Sequence, residues 1–326
     1  RWLETAARTL HDGIENGYGP SVSLPELTSG RILSPLEARE DGWVDRVTTL
    51  ADLTAEWKAE RWKQTSAKTP GHLGRGPTVA VLSLDGLITH GKSGSAPMLG
   101  PTVGSEQFSK TIDQLKRSRR VRAVVLRINS GGGEAAASED IRRALTRLAE
   151  KKPLIASMSG VAGSGGYLVA TPAMRIFASG STLTGSIGVL SLSPSLGRAL
   201  AQAGITSSVV KTHEHADAMS ALRPLSQDEL EQLDAHVGHV YDHFLSIVAE
   251  ARATSVPAVE AAAEGRVWSG RDACEHKLVD EVGGLDAALA SAQASAEISR
   301  ASIRFFPRDR RSFLQRRLAR SLSWIH

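Results

Sequence analysis

The chain has 326 residues and a mass of 34.7 kDa, enough for one large domain or two medium ones. With 41% hydrophobic and 23% charged residues, its composition is globular, which excludes a disordered, collagen-like or coiled-coil chain. The single cysteine, Cys274, excludes an internal disulfide framework and a zinc site built on several cysteines, and no cofactor is expected. The net charge of +4 is compatible with an anionic membrane surface but is too small to indicate nucleic-acid binding.

The predicted elements begin with a helix over residues 1 to 16. Polar residues 54 to 77 end in a Pro- and Gly-rich stretch and predict a linker. Strands then alternate with helices, which predicts a mostly parallel sheet covered on both faces, an α/β fold. The predicted strands are Val79 to Leu84, Val121 to Ile128, Pro153 to Met158, Arg175 to Ala178 and Ser207 to Lys211. The segment Gly91 to Gly104 is predicted as a loop. Residues 226 to 253 are predicted as a helix capped by Ser226 and Glu229.

Two segments of the chain, Gly30 to Val47 and Gly265 to Val282, resemble each other at a constant offset. Gly, Arg, Ser, Ala, Glu, Val, Asp and Val recur in register. Each copy has a helix-start signal, a serine followed three residues later by an acid, and each ends in an apolar-Val-Asp-x-Val sequence that predicts a strand. Duplication explains this agreement better than chance, so the sequence predicts a protein built from two repeats.

The repeat predicts a domain organisation in which the first unit is incomplete. The predicted domains are residues 1–53, a remnant of the N-terminal repeat; 54–77, a linker; 78–290, the catalytic repeat; and 291–326, a basic amphipathic tail. The tail could lie on a membrane surface, although docking on a partner subunit is the simpler interpretation. Since Arg1 rather than Met stands first, we expect this chain to be the C-terminal part of a longer protein.

Two glycine-rich turns follow predicted strands and begin helices: Ser130 to Gly133 and Gly163 to Gly166. Backbone N–H groups at such turns stabilise a phosphate or the oxyanion of acyl transfer. Neither turn matches the P-loop or completes the dinucleotide fingerprint, so acyl transfer is favoured. Ser164 resembles a nucleophile elbow with the N–H of Gly165 beside it, although Ala162 stands where that pattern has its first glycine. The alternative role for this serine is a helix N-cap.

The combination of motifs, rather than any one of them, resembles a known family, the signal peptide peptidase SppA (protease IV) family. The motifs are Val79 to Gly91, Ile128 to Gly133, Ala162 to Tyr167, Thr171-Pro172, Thr182 to Val189 and Gly265 to Gly270. Their order and spacing agree over residues 78–290, with residues 1–53 resembling the end of the first repeat of the double-length form. The resemblance implies a ClpP/crotonase-like fold with repeated ββα units.

The resemblance also implies a Ser–Lys dyad with Ser164 as the nucleophile. The implied oxyanion hole is the N–H of Gly165 together with that of Gly132 or Gly133. Ser186 would lie near the site as a supporting hydroxyl, although it could equally be a turn serine. No metal is implied.

The general base is the point at which this chain departs from the single-length members. Those members carry the lysine in the loop that corresponds to residues 212–218, and this loop contains none. Double-length members carry it in the N-terminal repeat, so we expect the base upstream of Arg1. The alternatives within the chain are Lys211, His213 and His215.

The function implied by the resemblance is a serine endopeptidase of the bacterial cell membrane, on its periplasmic face. It would degrade cleaved signal peptides and other apolar peptides, bound as an added strand. The resemblance also implies a homo-oligomer, and membrane association through a segment outside this chain. Two alternatives stay open: a catalytically incomplete scaffold subunit, favoured by the missing lysine, and a crotonase-type acyl-CoA enzyme, which would not need the Ser164 hydroxyl.

Overall fold

The computed structural model describes residues 33–49, 52, 76–96, 100–218 and 220–307. The predicted helix over residues 1–16, most of the linker and most of the basic tail lie outside these ranges. The chain divides into two compact units. We call residues 70–188 and 244–326 the sheet unit, and residues 1–69 and 189–243 the helical unit.

The described residues form a series of strands and helices that alternate from residue 78 onward. The strands are β1 (Thr78–Asp85), β2 (Leu87–Thr89), β3 (Gly94–Ala96), β4 (Gly100–Gly104), β5 (Val121–Ser130), β6 (Leu154–Gly163), β7 (Arg175–Ala178), β8 (Leu183–Gly185), β9 (Val267–Ser269), β10 (Glu281–Val282) and β11 (Ser302–Phe306). The helices are α1 (Pro35–Glu40), α2 (Ser105–Arg117), α3 (Ala135–Ala149), α4 (Gly165–Leu168), α5 (Gly197–Gln202), α6 (Gln227–Ala251), α7 (Val256–Glu260), α8 (Gly270–Glu275) and α9 (Leu285–Ser295).

The main sheet lies in the sheet unit, with the strand order β10-β7-β6-β5-β1-β11 and parallel pairing throughout. β8 continues beside the end of β6, and β9 pairs antiparallel with β8. The central strands are almost continuously apolar, as expected for strands covered on both faces. Residues 79–82 of β1, for example, are fully buried. The prediction of an α/β fold with a mostly parallel sheet is therefore confirmed.

Helices cover the sheet on both faces. On one face, side chains of β1, β5, β6 and β7 pack against Ala288 and Ala292 of α9. The helices α2 and α3 also contact the central strands, and each has a buried apolar stripe at helical spacing. These stripes are Phe108, Ile112 and Leu115 in α2, and Ile141, Leu145 and Leu148 in α3.

A second, three-stranded sheet with the order β2-β4-β3 occupies part of the segment that the sequence predicted as a loop. The loop prediction for Gly91 to Gly104 is therefore wrong. β3 and β4, the two strands within that segment, have three and five residues and are rich in Gly, Ser and Pro, so they lack the alternating apolar pattern that reveals a strand.

The strand predicted over Ser207 to Lys211 is also wrong, because these residues have no regular structure. Val209 and Val210 have β-branched side chains but are 49% and 78% exposed. A strand requires a neighbouring strand for its backbone hydrogen bonds, and no sheet of the described residues includes this segment.

The two copies of the internal repeat agree at their helix starts. Ser34 and Glu37 form a complete capping box, and Ser269 accepts a hydrogen bond from the backbone N–H of Asp272 at 3.1 Å. The second copy ends in β10, which pairs with β7. The first copy contains no strand over residues 44–47, so that part of the prediction is wrong, since no partner strand lies beside it in the described residues.

The C-terminal elements extend beyond the boundary predicted at residue 290. That position lies inside α9, and β11 (Ser302–Phe306) adds an edge strand to the main sheet beside β1. The long helix α6 agrees with its prediction, and Ser226 and Glu229 cap it reciprocally at 2.8 and 3.2 Å. No helix in the described ranges has the length and apolar character needed to span a bilayer.

Candidate active site

The two glycine-rich turns meet at one edge of the main sheet. They follow the carboxyl ends of β5 and β6, which are parallel neighbours. The turns are in direct contact, because a Cβ added to Gly132 would lie 2.7 Å from the Gly165 nitrogen and 3.0 Å from the Ser164 Cβ. Gly132 also has φ +105°, a conformation that residues with side chains rarely adopt. Glycine at position 132 is therefore what allows the two turns to approach.

Ser164 has a backbone conformation that is rare for a residue with a side chain, with φ 51° and ψ −122°. Such a conformation costs of the order of 1–3 kcal/mol and persists only where the surroundings enforce it. The Ser164 N–H donates to the Gly185 carbonyl at 2.9 Å, and its own carbonyl accepts from the amides of Tyr167 and Leu168. The side chain is half-buried, and although Ser164 stands at the N-cap position of α4, its hydroxyl makes no capping hydrogen bond.

Two backbone N–H groups beside Ser164 are candidates for the oxyanion hole. Gly165 is the first residue of α4, so its N–H has no acceptor within that helix. In the other turn, the N–H of Gly132 donates to the hydroxyl of Ser130 at 3.1 Å. The next residue, Gly133, forms a parallel bridge with Ile88.

The bridge at Gly133 distinguishes it from Gly132. Its two hydrogen bonds run from the Ile88 N–H to the Gly132 carbonyl at 2.8 Å and from the Glu134 N–H to the Ile88 carbonyl at 3.0 Å. Neither uses the N–H of Gly133, which therefore points away from the bridge. Of the two glycines left open by the sequence, Gly133 is the one whose N–H these contacts leave available.

Ser186 lies beside the residue that precedes Ser164. A Cβ added to Gly163 would lie 3.3 Å from the Ser186 Cβ. Ser186 has φ 47°, and its N–H donates to the Arg266 carbonyl at 2.8 Å. The structure thus brings Ser186 to the turn that carries Ser164.

The three alternative bases lie in the helical unit, each with local partners. The Lys211 ammonium donates to Asp217 at 2.9 Å and to the Glu214 carbonyl at 2.6 Å. The His215 ring lies 3.1 Å from an Asp228 carboxylate oxygen and 3.5 Å from one of Glu229. Nδ1 of His213 lies 2.9 Å from the Thr212 hydroxyl oxygen.

A buried hydrogen bond ties α4 to the segment that precedes β10. The hydroxyl of Tyr167 donates to the Leu278 carbonyl at 2.7 Å, and burial raises the pKa of this phenol. Nearby, Asp280 accepts hydrogen bonds from Arg252 and from the Ile176 N–H. Burial alone would raise the pKa of Asp280, but these hydrogen bonds outweigh it and lower that pKa. The helix that follows Ser164 is therefore fixed to the loop between α8 and β10, within the second repeat copy.

Two serines that the sequence analysis did not single out contribute to the site. The buried hydroxyl of Ser130 accepts the Gly132 N–H and so shapes the first turn. Ser138 of α3 is fully buried, and a Cβ added to Gly165 would lie 2.3 Å from its oxygen. Ser130 lies within a quoted motif, but nothing in the sequence marks Ser138, because buried serines are ordinary in helices.

Comparisons with known proteins agree with this arrangement. The family model of peptidase family S49 matches residues 146–299, a range that includes Ser164. The chain is 37% identical over 71% of its length to "Serine protease SPPA, chloroplastic" of Arabidopsis thaliana, covering 34% of that protein. It is 35% identical over 91% of its length to "Protease 4" of Salmonella typhi, covering 47% of it, and 35% identical over 66% to "Protease 4" of Haemophilus influenzae, covering 34% of it.

The chain thus spans half or less of the length of these three relatives. Among solved structures, a ClpP1 mutant from Listeria monocytogenes is 15% identical, with a TM-score of 0.40 over 64% of this chain and 91% of that one. The parallel sheet and the family match together give the α/β fold its type, ClpP/crotonase-like. The chain therefore contains a match to peptidase family S49 over residues 146–299 and is similar to the SppA and protease 4 peptidases.

Proposed function

We propose that this chain carries the nucleophile and oxyanion hole of a serine peptidase that degrades cleaved signal peptides and other apolar peptides. The observation that carries the proposal is the backbone of Ser164, φ 51° and ψ −122° on a turn packed against Gly132. In a nucleophile elbow, a strained turn of this kind exposes the serine hydroxyl next to the N–H of the following residue, which here is Gly165.

In the proposed reaction, the Ser164 Oγ attacks the scissile carbonyl carbon while its proton passes to a neutral amine base. The carbonyl oxygen becomes an oxyanion and accepts hydrogen bonds from the N–H groups of Gly165 and Gly133. The intermediate collapses, the C–N bond breaks, and the leaving amine takes the proton from the base. Water then hydrolyses the acyl ester, with the base again accepting and returning one proton.

We propose that the base is a lysine supplied from outside this chain. A lysine serves as base only when its surroundings lower its pKa enough to leave it neutral. The ammonium of Lys211, the alternative within the chain, is already engaged by the Asp217 carboxylate and the Glu214 carbonyl. Among the described residues, no hydrogen bond is made to the Ser164 hydroxyl, which fits a site completed by another segment.

We further propose that the assembled protein is a homo-oligomer at the bacterial cell membrane, with its site on the periplasmic face. Apolar substrates would bind extended along the Gly131 to Gly133 turn, whose bridge to Ile88 makes it a short strand edge. Backbone pairing of this kind accepts many sequences, which suits an enzyme that removes signal peptides of varied sequence.

A direct test uses an activated aryl ester of an apolar peptide, whose good leaving group reduces the need for the base. Intact-mass measurement is expected to find one acyl group on Ser164, none on the Ser164→Ala variant, and unchanged labelling on Ser181→Ala, an exposed serine of the same unit. Labelling that survives Ser164→Ala would refute the nucleophile assignment.

The second candidate function is a catalytically incomplete scaffold subunit. It is favoured by the same observation, that no side chain among the described residues hydrogen-bonds to the Ser164 hydroxyl. The ester experiment separates the two candidates, because a scaffold has no reason to preserve a working oxyanion hole and would remain unlabelled.

A further inference from the structure

The sheet unit carries a dense run of positive charge at the end of the sheet opposite Ser164. Five residues, which we call the basic edge, run from the last turn of α2 into the start of β5: Lys116, Arg117, Arg119, Arg120 and Arg122. The four arginines are exposed.

The basic edge places five of the chain's 39 Lys and Arg residues within seven consecutive positions. The sequence has 39 Lys and Arg residues against 35 Asp and Glu, so the chain without the basic edge has 34 against 35. None of these seven positions is acidic, so five positive charges are concentrated in a short stretch of chain. A concentrated patch of this kind attracts a polyanionic surface far more strongly than the net charge suggests.

Other charged side chains lie close to the basic edge. Lys116 lies 3.3 Å from Asp113. Glu297 stands beside the arginines, in the wall of the cavity described next. Lys152 adds a further cation. Its ammonium donates at 2.7 Å to the carbonyl of Ser118, the residue between Arg117 and Arg119.

A cavity of about 330 Å³ opens at this edge, and its wall combines cationic and apolar groups. The lining residues are Gly76, Pro77, Arg119, Arg120, Arg122, Ala296, Glu297 and Ile298. Arginine guanidinium groups bind phosphate oxygens with two parallel hydrogen bonds. Ile298 packs against the core cluster of the sheet, so the wall beside the arginines is apolar and rigid.

We propose that the basic edge docks this unit onto an anionic lipid bilayer, with lipid phosphates bound at Arg119, Arg120 and Arg122. In a lipid the phosphate group lies next to the start of the acyl chains. The arginines would bind the phosphate, and the apolar wall beside them would contact the start of the acyl chains. The lining contains no aromatic side chain on which bases could stack, which makes a single-stranded nucleic acid the poorer match.

This docking does not depend on the proposed function of Ser164. β5 has ten residues, so its length of roughly 30 Å, at about 3.3 Å per residue, separates the basic edge from the glycine-rich turn at its other end. Docking through the basic edge would leave the Ser164 end of the sheet facing away from the lipid surface.

The test is co-sedimentation of the full chain with vesicles at low salt. Binding is expected to vesicles of equal parts phosphatidylcholine and phosphatidylglycerol, but not to pure phosphatidylcholine, and to disappear at high salt. The variant Arg119→Gln/Arg120→Gln/Arg122→Gln is expected to lower the partition coefficient roughly a hundredfold, at about a fivefold step per charge. Arg122→Gln alone gives one such step and serves if the triple variant does not fold.

A matched control removes the same charge elsewhere. Arg39→Gln/Arg198→Gln/Arg271→Gln substitutes three exposed arginines and is expected to keep most of the binding. Equal losses in both triple variants would show that only net charge matters and would overturn the proposal. It would also be overturned if loss of binding required substitution of the tail arginines between residues 308 and 320, or if the chain preferred a single-stranded oligonucleotide to anionic vesicles.

Discussion

Substitution of Gly132 by alanine tests whether the contact between the two turns forms the site. The new Cβ would lie 2.7 Å from the Gly165 nitrogen and 3.0 Å from the Ser164 Cβ, with 3.1 Å to the Gly163 carbonyl oxygen. Two of these three contacts involve backbone atoms, which cannot move without displacing the turn that carries Ser164. The φ of +105° adds strain for any residue with a Cβ.

The expected cost can be worked from these two effects. Backbone strain contributes about 1–2 kcal/mol, and overpacking against rigid atoms contributes about 1–3 kcal/mol. Gly132→Ala is therefore expected to lower the free energy of unfolding by about 2–5 kcal/mol. Urea denaturation followed by circular dichroism measures this directly, and the ester-labelling assay is expected to show loss of Ser164 acylation in the fraction that remains folded.

Gly131→Ala is the matched control in the same turn. No atom lies within 4 Å of a Cβ added there, and Gly131 is not among the residues with positive φ. This variant is expected to stay within about 0.5 kcal/mol of the parent and to keep its labelling. Equal stability and equal labelling of the two variants would refute the inference that Gly132 holds the turns together.

Three further predictions concern the surroundings of the site and the helical unit. Gly165→Ala should abolish acylation and lower stability, because its Cβ would lie 2.3 Å from the Ser138 oxygen. Adding Ser138→Ala should restore part of the lost stability in a double-mutant cycle. Strictly additive losses of stability would contradict this contact. Tyr167→Phe should cost about 1–3 kcal/mol by leaving a buried carbonyl without its donor, a loss that thermal unfolding would reveal. Hydrogen bonds from Arg223 lower the pKa of Glu229 from 4.5 to about 2, so this pair stabilises the fold above pH 4.5 and loses its contribution as the pH falls toward 2. Melting temperatures measured across that window should fall less steeply in Glu229→Gln, and identical slopes would exclude the pair as a source of acid sensitivity.

The sequence predicted those features whose physical cause is local. The strands β1 and β5 contain the apolar runs 79–82 and 123–126, as expected for strands that are covered on both faces. The turn at Ser164 is marked by the glycines on both sides of it, and the cap at Ser226 is marked by Glu229 three residues later. In each case the residues that determine the structure are neighbours in the chain.

Other features could not be predicted because their cause lies elsewhere in the chain. The strands within Gly91 to Gly104 are held by pairing with one another rather than by an apolar pattern. The Ser207 to Lys211 segment has the composition of a strand but no partner in the described residues. The contact between Ser138 and Gly165 joins two helices whose sequences give no sign of each other.

The central claim is that Ser164 is a nucleophile whose base lies outside this chain. The most direct measurement is hydrolysis of an apolar fluorogenic peptide by the chain alone, with Ser164→Ala as the reference. The account predicts amide hydrolysis no faster than in Ser164→Ala, although an activated ester still acylates Ser164. Hydrolysis well above that reference, abolished by Lys211→Ala or His215→Ala, would place the base within the chain and contradict the account.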